Sequence, residues 1–354
     1  MDFVSHSDPL LRLALLSGLA VFALILLILV AIVLLRIAAD RKALRAARIK
    51  ESWTPVFLNA IEGLPYRLPR VHGRDRELIM LVWLQFSEML RGAARLRLRD
   101  MARELQLAGM AMRLMRRGDM RGRLLGAVSL GRMEAVEARD ALAALITDPN
   151  PVLSLLAARS LLQIDPAGSA ATVLAVVARR VDWSTARVVA MFDEVRDASH
   201  GAVLLAALAG SRDADATRLL PLLDAVQTAD AWPILAAILK DGKPADTLIA
   251  ALKAVVDPRA LAATRRLAVH AAWPVRAQAA TVLGRIGTRE DVARLREMLA
   301  DPEWWVRYRA AGALTQLPFL QRADLLDMAA GLSDRYAAQM LRQVLAETGA
   351  ECTA

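Results

Sequence analysis

The chain is poor in the residues that do chemistry. Its 354 residues include one cysteine, four histidines and three tyrosines, and aromatic side chains make up only 5%. One cysteine, Cys352, excludes an intramolecular disulfide, cysteine-based zinc sites and iron–sulfur clusters held within the chain. Its place in the tail reads as an incidental thiol in a reducing compartment. His6, His72, His200 and His270 never pair at metal-ligand spacing on one helix, and H-E-x-x-H is absent. So are G-x-S-x-G, G-x-x-x-x-G-K-[ST] and G-x-G-x-x-G. Asp193, Glu194 and Asp197 form a small acidic cluster near a helix end, read as solvated charge. No catalytic, cofactor-binding or metal-ligating residue is therefore assigned, and the chain reads as a non-enzyme without a cofactor. Strand-like alternation of useful length is also missing, which points to an all-α protein.

Charge is missing from one stretch altogether. Leu13 to Leu35 is an unbroken apolar run between Arg12 and Arg36. As a helix it rises roughly 34 Å at about 1.5 Å per residue, enough to cross a hydrocarbon core of about 30 Å. A cleaved signal peptide fits poorly: Asp2 and Asp8 precede the run, and Arg36 follows where small residues are required. A buried soluble helix fits poorly too, because apolar residues cover every face. Residues 13–35 are read as a transmembrane helix, and 1–12 as a short extracytoplasmic N-terminus. After the run come Arg36, Arg41, Lys42, Arg45, Arg48 and Lys50, opposed locally by Asp40. The positive-inside rule places that flank, and the domain beyond it, on the cytoplasmic side of an inner membrane. Ser17, Gly18 and Ala20 are small enough for two such helices to meet, a route to a homo-oligomer.

The net charge of +9 is unevenly spread. Residues 36–132 carry 21 basic and 9 acidic side chains, a net of +12, whereas 133–354 carry 24 and 26, a net of −2. The basic excess sits beside the anchor. Anionic headgroups attract such segments by about 1 kcal/mol per basic residue near the surface. The six residues from Arg36 to Lys50 are read as a membrane-surface cluster. An acidic distal half on an anchored chain disfavours nucleic acid as a partner. Lysine is scarce, with five residues against a large arginine excess, a bias that matches a GC-rich bacterial genome.

Pro55, Pro65, Pro69, Gly63 and Gly73 punctuate the region from Trp53 to Gly73, so 36–74 is read as a basic juxtamembrane segment and irregular linker with room for one short helix. Trp53 suits either the headgroup level or the cover of a first helix pair. Helical spacing resumes at Asp75, a candidate cap, and Arg91-Gly92 is read as the end of that helix. Further helices run from about Arg97 to Leu107 and from Leu107 to Arg116. The 75–118 segment is read as an N-terminal cap.

The chain then resembles itself. Val275-Arg276 and Val306-Arg307 align at a shift of 31, which also pairs Ala279-Ala280 with Ala310-Ala311 and Leu283 with Leu314. The same shift pairs Trp273 with Trp304 and His270 with Asp301, so His270 reads as a turn-capping residue. Arg123 to Arg132 and Asp148 to Leu161 are weaker copies. Taking the arginine slot as reference, units fall at Arg123, Ser154, Arg187, Arg218, Thr247, Arg276 and Arg307, with spacings of 29 to 33. The middle three rest on spacing and helical pattern, without matching residues. A helical period near 30 means stacked helix pairs.

This pattern resembles the HEAT-repeat family in its short, phycobilisome-lyase-like form. The residues that carry the resemblance are the turn aspartates Asp148 and Asp301, the Val-Arg pairs, the alanine pairs and the leucine that follows. It implies an all-α solenoid of HEAT-like pairs over 119–332, preceded by one transmembrane helix and closed by a capping helix and tail over 333–354. In this reading the arginine reaches the aspartate or a carbonyl of the adjacent turn, forming a ladder. The stretch 76–133 is also similar to bacterial membrane-anchored HEAT proteins associated with envelope glycosyltransferases. That resemblance implies a scaffold whose protein partner is a membrane glycosyltransferase, within an envelope polysaccharide synthesis or secretion complex. The other HEAT-like function in view is an enzyme or nucleic-acid binder of the glycosylase or chromophore-lyase kind. Tryptophans and arginines at the late turns either pack between units or form a contact patch: Trp273, Trp304, Trp305, Arg307, Tyr308 and Arg309.

Overall fold

The computed structural model describes residues 9–73, 75–226, 228, 230–240 and 242–351, with the side chains of 9–15, 38 and 349–351 outside that description. His6, Arg12 and Cys352 therefore lie outside the described side chains. Among the described residues there are nineteen α-helices and no strand. The chain divides into two compact units, Met1–Met133 and Glu134–Ala354.

Unit 1 begins with one long helix, α1 (Pro9–Glu62). It is long and apolar enough at its N-terminal end to cross a membrane, and none of that apolar window is buried within the chain. The helix then continues through the basic segment without a break. Its first inward-facing residue is Ile49, followed by Trp53, Phe57 and Ala60 at helical spacing. These pack on α2 (Arg76–Met89) and α3 (Gly92–Glu104).

The expected linker is thus shorter than its prolines imply. Helix continues to Glu62, with Pro55 inside it. The proline removes the hydrogen bond to the Glu51 carbonyl and costs about 3 kcal/mol. Burial of Trp53 and Phe57 on either side, at about 1.5–3 kcal/mol per large side chain, offsets that loss. Trp53 is 3% exposed and its ring lies 5.7 Å from that of Phe57, which in turn meets Phe86. It is buried in the cover of the first helices. Gly63, at φ +78°, stops the helix: its N–H bonds to the Ala60 carbonyl, and the Leu64 N–H reaches Asn59.

Two other local readings change. Asp75 precedes α2, but its carboxylate makes no cap and turns toward Arg45 and His72. Gly92, at φ +61°, opens α3 and does not close α2, which ends at Met89. The Trp83 Nε1–H donates to the Leu98 carbonyl at 2.8 Å and ties α2 to α3. The unit closes with α4 (Leu107–Arg117) and α5 (Met120–Arg132), which Asp119 caps through the Gly122 N–H.

Unit 2 runs through α6 (Arg139–Leu145), α7 (Pro151–Ile164), α8 (Pro166–Arg179), α9 (Thr185–Val195) and α10 (Ser199–Ala209). It continues with α11 (Asp213–Leu219), α12 (Trp232–Ile238), α13 (Ala245–Lys253), α14 (Leu261–Leu267) and α15 (Trp273–Ile286). The last helices are α16 (Asp291–Met298), α17 (Trp304–Gln316), α18 (Arg322–Ala330) and α19 (Arg335–Glu351). From α11 onward the odd-numbered helices stack in order, α11 on α13, then α15, α17 and α19. Before that the order is less regular: α8 meets both α10 and α11. Pro221 accounts for part of this, because α11 stops at Leu219 and gives way to a 3₁₀ turn.

The turns before these helices share one device. A side chain accepts a hydrogen bond from the backbone N–H two residues on. Asp148 does so to Asn150, Asp301 to Glu303 and Asp334 to Tyr336. His270 does it through Nδ1 to the Ala272 N–H, at 3.1 Å. Arginine links successive turns. Arg276 donates to both carboxylate oxygens of Asp301 at 2.8 Å, and to the His270 and Ala271 carbonyls behind it. Burial pushes the Asp301 carboxyl up, but the Arg276 guanidinium and the Glu303 N–H outweigh it and hold the group below its ordinary 3.8. Asp291, buried under Arg265 and Thr288, is held low in the same way.

A small residue sets the spacing of the stack. A Cβ on Gly284 of α15 would lie 2.7 Å from the Ala313 Cα and 2.9 Å from its Cβ. A Cβ on Gly312 of α17 would meet nothing within 4 Å. Gly312→Ala is therefore expected to raise stability by up to about 1 kcal/mol through helix propensity alone. Gly284→Ala is expected to lower it, since overpacking at about 1–3 kcal/mol exceeds the same gain. Urea unfolding of the two variants reads the difference, and equal shifts would refute this account of the spacing.

The lowered carboxyls also fix a pH dependence. A group titrating lower in the folded chain adds stability that is complete above about pH 5 and is lost as the pH falls through its folded value. Unfolding followed between pH 7 and pH 2.5 should show this loss below about pH 4. Asp301→Asn should be less stable at pH 7, by about 2 kcal/mol for a largely buried pair, and should lose less on acidification.

Candidate functional site

Helix α17 opens with two tryptophans, and neither is buried. Trp304 is 41% exposed and Trp305 50%, and Trp273, at the corresponding position of α15, is 39% exposed. Their place at the first turn follows from the repeat: the turn is fixed by its capping side chain, and Val275 and Val306 take the inward positions. The tryptophans on the other face of that turn are left outside. Within α17 the rings form one body. Trp304 stacks on Tyr308 with centroids 5.2 Å apart and planes 10° apart, and Trp305 stands edge-on to both. The Tyr308 hydroxyl donates to Glu347 of α19 at 3.1 Å, which fixes the platform from below.

The six residues of the expected patch thus part company. Trp304, Trp305 and Tyr308 form the platform, and Trp273 stands one repeat away on the adjacent helix. Arg309 is exposed beside them and lines a cavity of about 780 Å³ between α15, α17 and α19, with Tyr308, Gly312, Arg322 and Glu347. Arg307 is half-buried. It turns inward and donates to the Asp301 and Pro302 carbonyls, and its Nε is buried with no partner among the described residues.

Other candidates dissolve into structure. Glu194 pairs with Arg159 at 2.7 Å and accepts from Gln163, Asp193 pairs with Arg196, and Asp197 caps the turn before α10 through Ser199. The three carboxylates share no site. His200 is buried at 1% exposure, with Nε2 on the Pro166 carbonyl and its ring edge-on to Phe192. Among the described residues no three His, Cys, Asp or Glu side chains are placed to hold a metal ion. What the α17 edge offers is aromatic stacking, with the Tyr308 hydroxyl bonded to Glu347 beside it.

A family model for HEAT repeats matches residues 233–315, from α12 into α17. Over that stretch the chain carries HEAT repeats. The match reaches back over α12 to α14, where spacing and helical pattern had placed the unit at Thr247. No curated relative matches the chain. HEAT repeats are helical scaffolds for protein–protein contact, and the aromatic platform lies within the matched stretch.

Truncating the platform should not unfold it. Trp304→Ala and Trp305→Ala remove half-exposed rings, so each should change stability by less than about 1 kcal/mol. Thermal unfolding checks this. A loss of several kcal/mol from either variant would show that the rings are structural.

Proposed function

We propose that this chain is a single-pass, membrane-anchored scaffold that holds a protein partner on the cytoplasmic side through the aromatic edge of its HEAT repeats. The observation that carries the reading is the half-exposed cluster of Trp304, Trp305 and Tyr308 on a helix whose start is pinned by Arg276, Asp301 and Arg307. Rigid, half-exposed aromatic side chains beside arginine make interface anchors, because little entropy is lost when they are covered. The 47-residue span Leu16–Glu62, with its unburied apolar stretch and basic flank, supports the anchor and its orientation. The anchor confines scaffold and partner to one surface, which raises their effective concentration. The resemblance of 76–133 to anchored HEAT proteins points to a membrane glycosyltransferase of an envelope polysaccharide complex as the partner.

Two measurements test this. Protease digestion of sealed inner-membrane vesicles should cut unit 2 only on the cytoplasmic side, and protection of unit 2 would reverse the topology. Partners recovered from native membranes in mild detergent should bind the Trp304→Ala/Trp305→Ala double variant at least about 30-fold more weakly, as loss of a hot spot of about 2 kcal/mol implies. Unchanged recovery would move the contact elsewhere.

A further inference from the structure

The basic stretch of α1 is not one cluster. Arg41, Arg45 and Arg48 stand at i, i+4 and i+7, so at about 100° per residue they share an arc of about 60°. Ser52 falls in the same arc. Arg36, Lys42 and Lys50 lie outside it by about 60° or more. Opposite the arc, the segment before α2 brings up His72 and Asp75. Together with Leu44 and Ile49 these residues line a cavity of about 820 Å³, within the range of small-molecule sites. The Asp75 carboxylate lies 3.9 Å from Arg45 and 3.8 Å from His72, so it orients a side chain on each wall. Arg41 and Arg48 are exposed and meet no carboxylate among the described residues. One acid against three arginines leaves the groove positive.

We propose that this groove binds an anion carrying more than one phosphate, held by Arg41, Arg45 and Arg48. Guanidinium forks match phosphate oxygens in pairs, which a lysine cannot reproduce. The row extends about 10 Å along the helix, more than a single phosphate engages. Helical side chains lean toward the N-terminus, here toward the apolar segment, and the row starts about 9 Å beyond Leu35. Two sources share this chemistry: a lipid headgroup with two phosphates, and a soluble diphosphate. The lipid source rests on the membrane reading above, and the soluble one does not.

The test uses the full chain and two triple variants that lose equal charge. One is Arg41→Gln/Arg45→Gln/Arg48→Gln, and the other is Arg36→Gln/Lys42→Gln/Lys50→Gln. In neutral detergent, inorganic pyrophosphate is titrated by calorimetry. In phosphatidylcholine nanodiscs, retention of cardiolipin, with two phosphates, is compared with that of phosphatidylglycerol, with one. The groove variant should weaken binding at least 10-fold in one arm or the other, and the off-arc variant less than 3-fold. Groove-dependent pyrophosphate binding identifies a soluble source, and groove-dependent cardiolipin preference a headgroup. Equal losses in both variants, or no groove-dependent binding in either arm, overturn the proposal. Because the pyrophosphate arm needs no bilayer, it separates failure of the groove from failure of the anchor.

Discussion

The two-pronged bond from Arg276 to Asp301 is the constraint on which the late repeats depend. A single helix pair cannot cover its own apolar face, so neighbours must stack, and something must fix their register. The fork does so from a largely buried position, with side-chain exposures of 14% and 9%. Its carboxylate serves twice, accepting from the arginine of one repeat and from the backbone of the next turn. Register and turn geometry are therefore set by the same atom group. Hydrophobic contact then fills the interval, and Gly284 against Ala313 sets how narrow the interval is.

Much of this was legible in the sequence, because two repeats use the same residues in the same order. The arginine slot at Arg276 and Arg307, the inward valines and the buried alanine pairs all followed from a shift of 31. His270 was readable for the same reason: it fills an aspartate's position and makes the aspartate's bond. Earlier repeats keep the position of the cross-link and change its chemistry. Ser154 takes the slot in α7, donating to the Asn150 carbonyl and accepting from the Trp183 indole one turn on. Thr247, the slot residue of α13, meets Thr217 of α11 at 3.0 Å. Arg218, chosen by spacing, sits late in α11 and bonds the Arg180 and Trp183 carbonyls instead. Self-comparison finds identical residues, and it cannot see that a hydroxyl and a guanidinium do one job.

The misread stretch around Pro55 has the opposite cause. Local signals argued for a break, and tertiary burial overrode them. A proline costs one hydrogen bond, while Trp53 and Phe57 gain a core. As a consequence, the helix that holds the apolar segment also supplies part of the core of unit 1. Nothing flexible separates the apolar segment from the fold, and the arginines between them keep a fixed angular order. Only a continuous helix gives the spacing of Arg41, Arg45 and Arg48 a meaning. Read as a linker, the same residues are an undifferentiated patch of charge.

The tryptophans near the repeat turns have two fates. Trp183 lies just before α9, is buried at 1% exposure and donates to the Ser154 hydroxyl of α7. Trp273 and Trp304 are the first residues of α15 and α17, on the outward face of that turn, and stay half-exposed. At Arg307 the arginine series stops: Asp334 accepts from the N–H groups of Tyr336 and Ala337, Arg307 donates to the Asp301 and Pro302 carbonyls, and its Nε is buried without a hydrogen-bond partner among the described residues. The last helix is held from its other end, where Arg322 donates to the Leu345 carbonyl and Tyr308 to Glu347. Tyr308 thus belongs both to the aromatic platform and to the attachment of α19. On the proposed reading, a partner that covered the platform would also bear on the bond that fixes the final helix, which would couple docking at this edge to order at the end of the repeats.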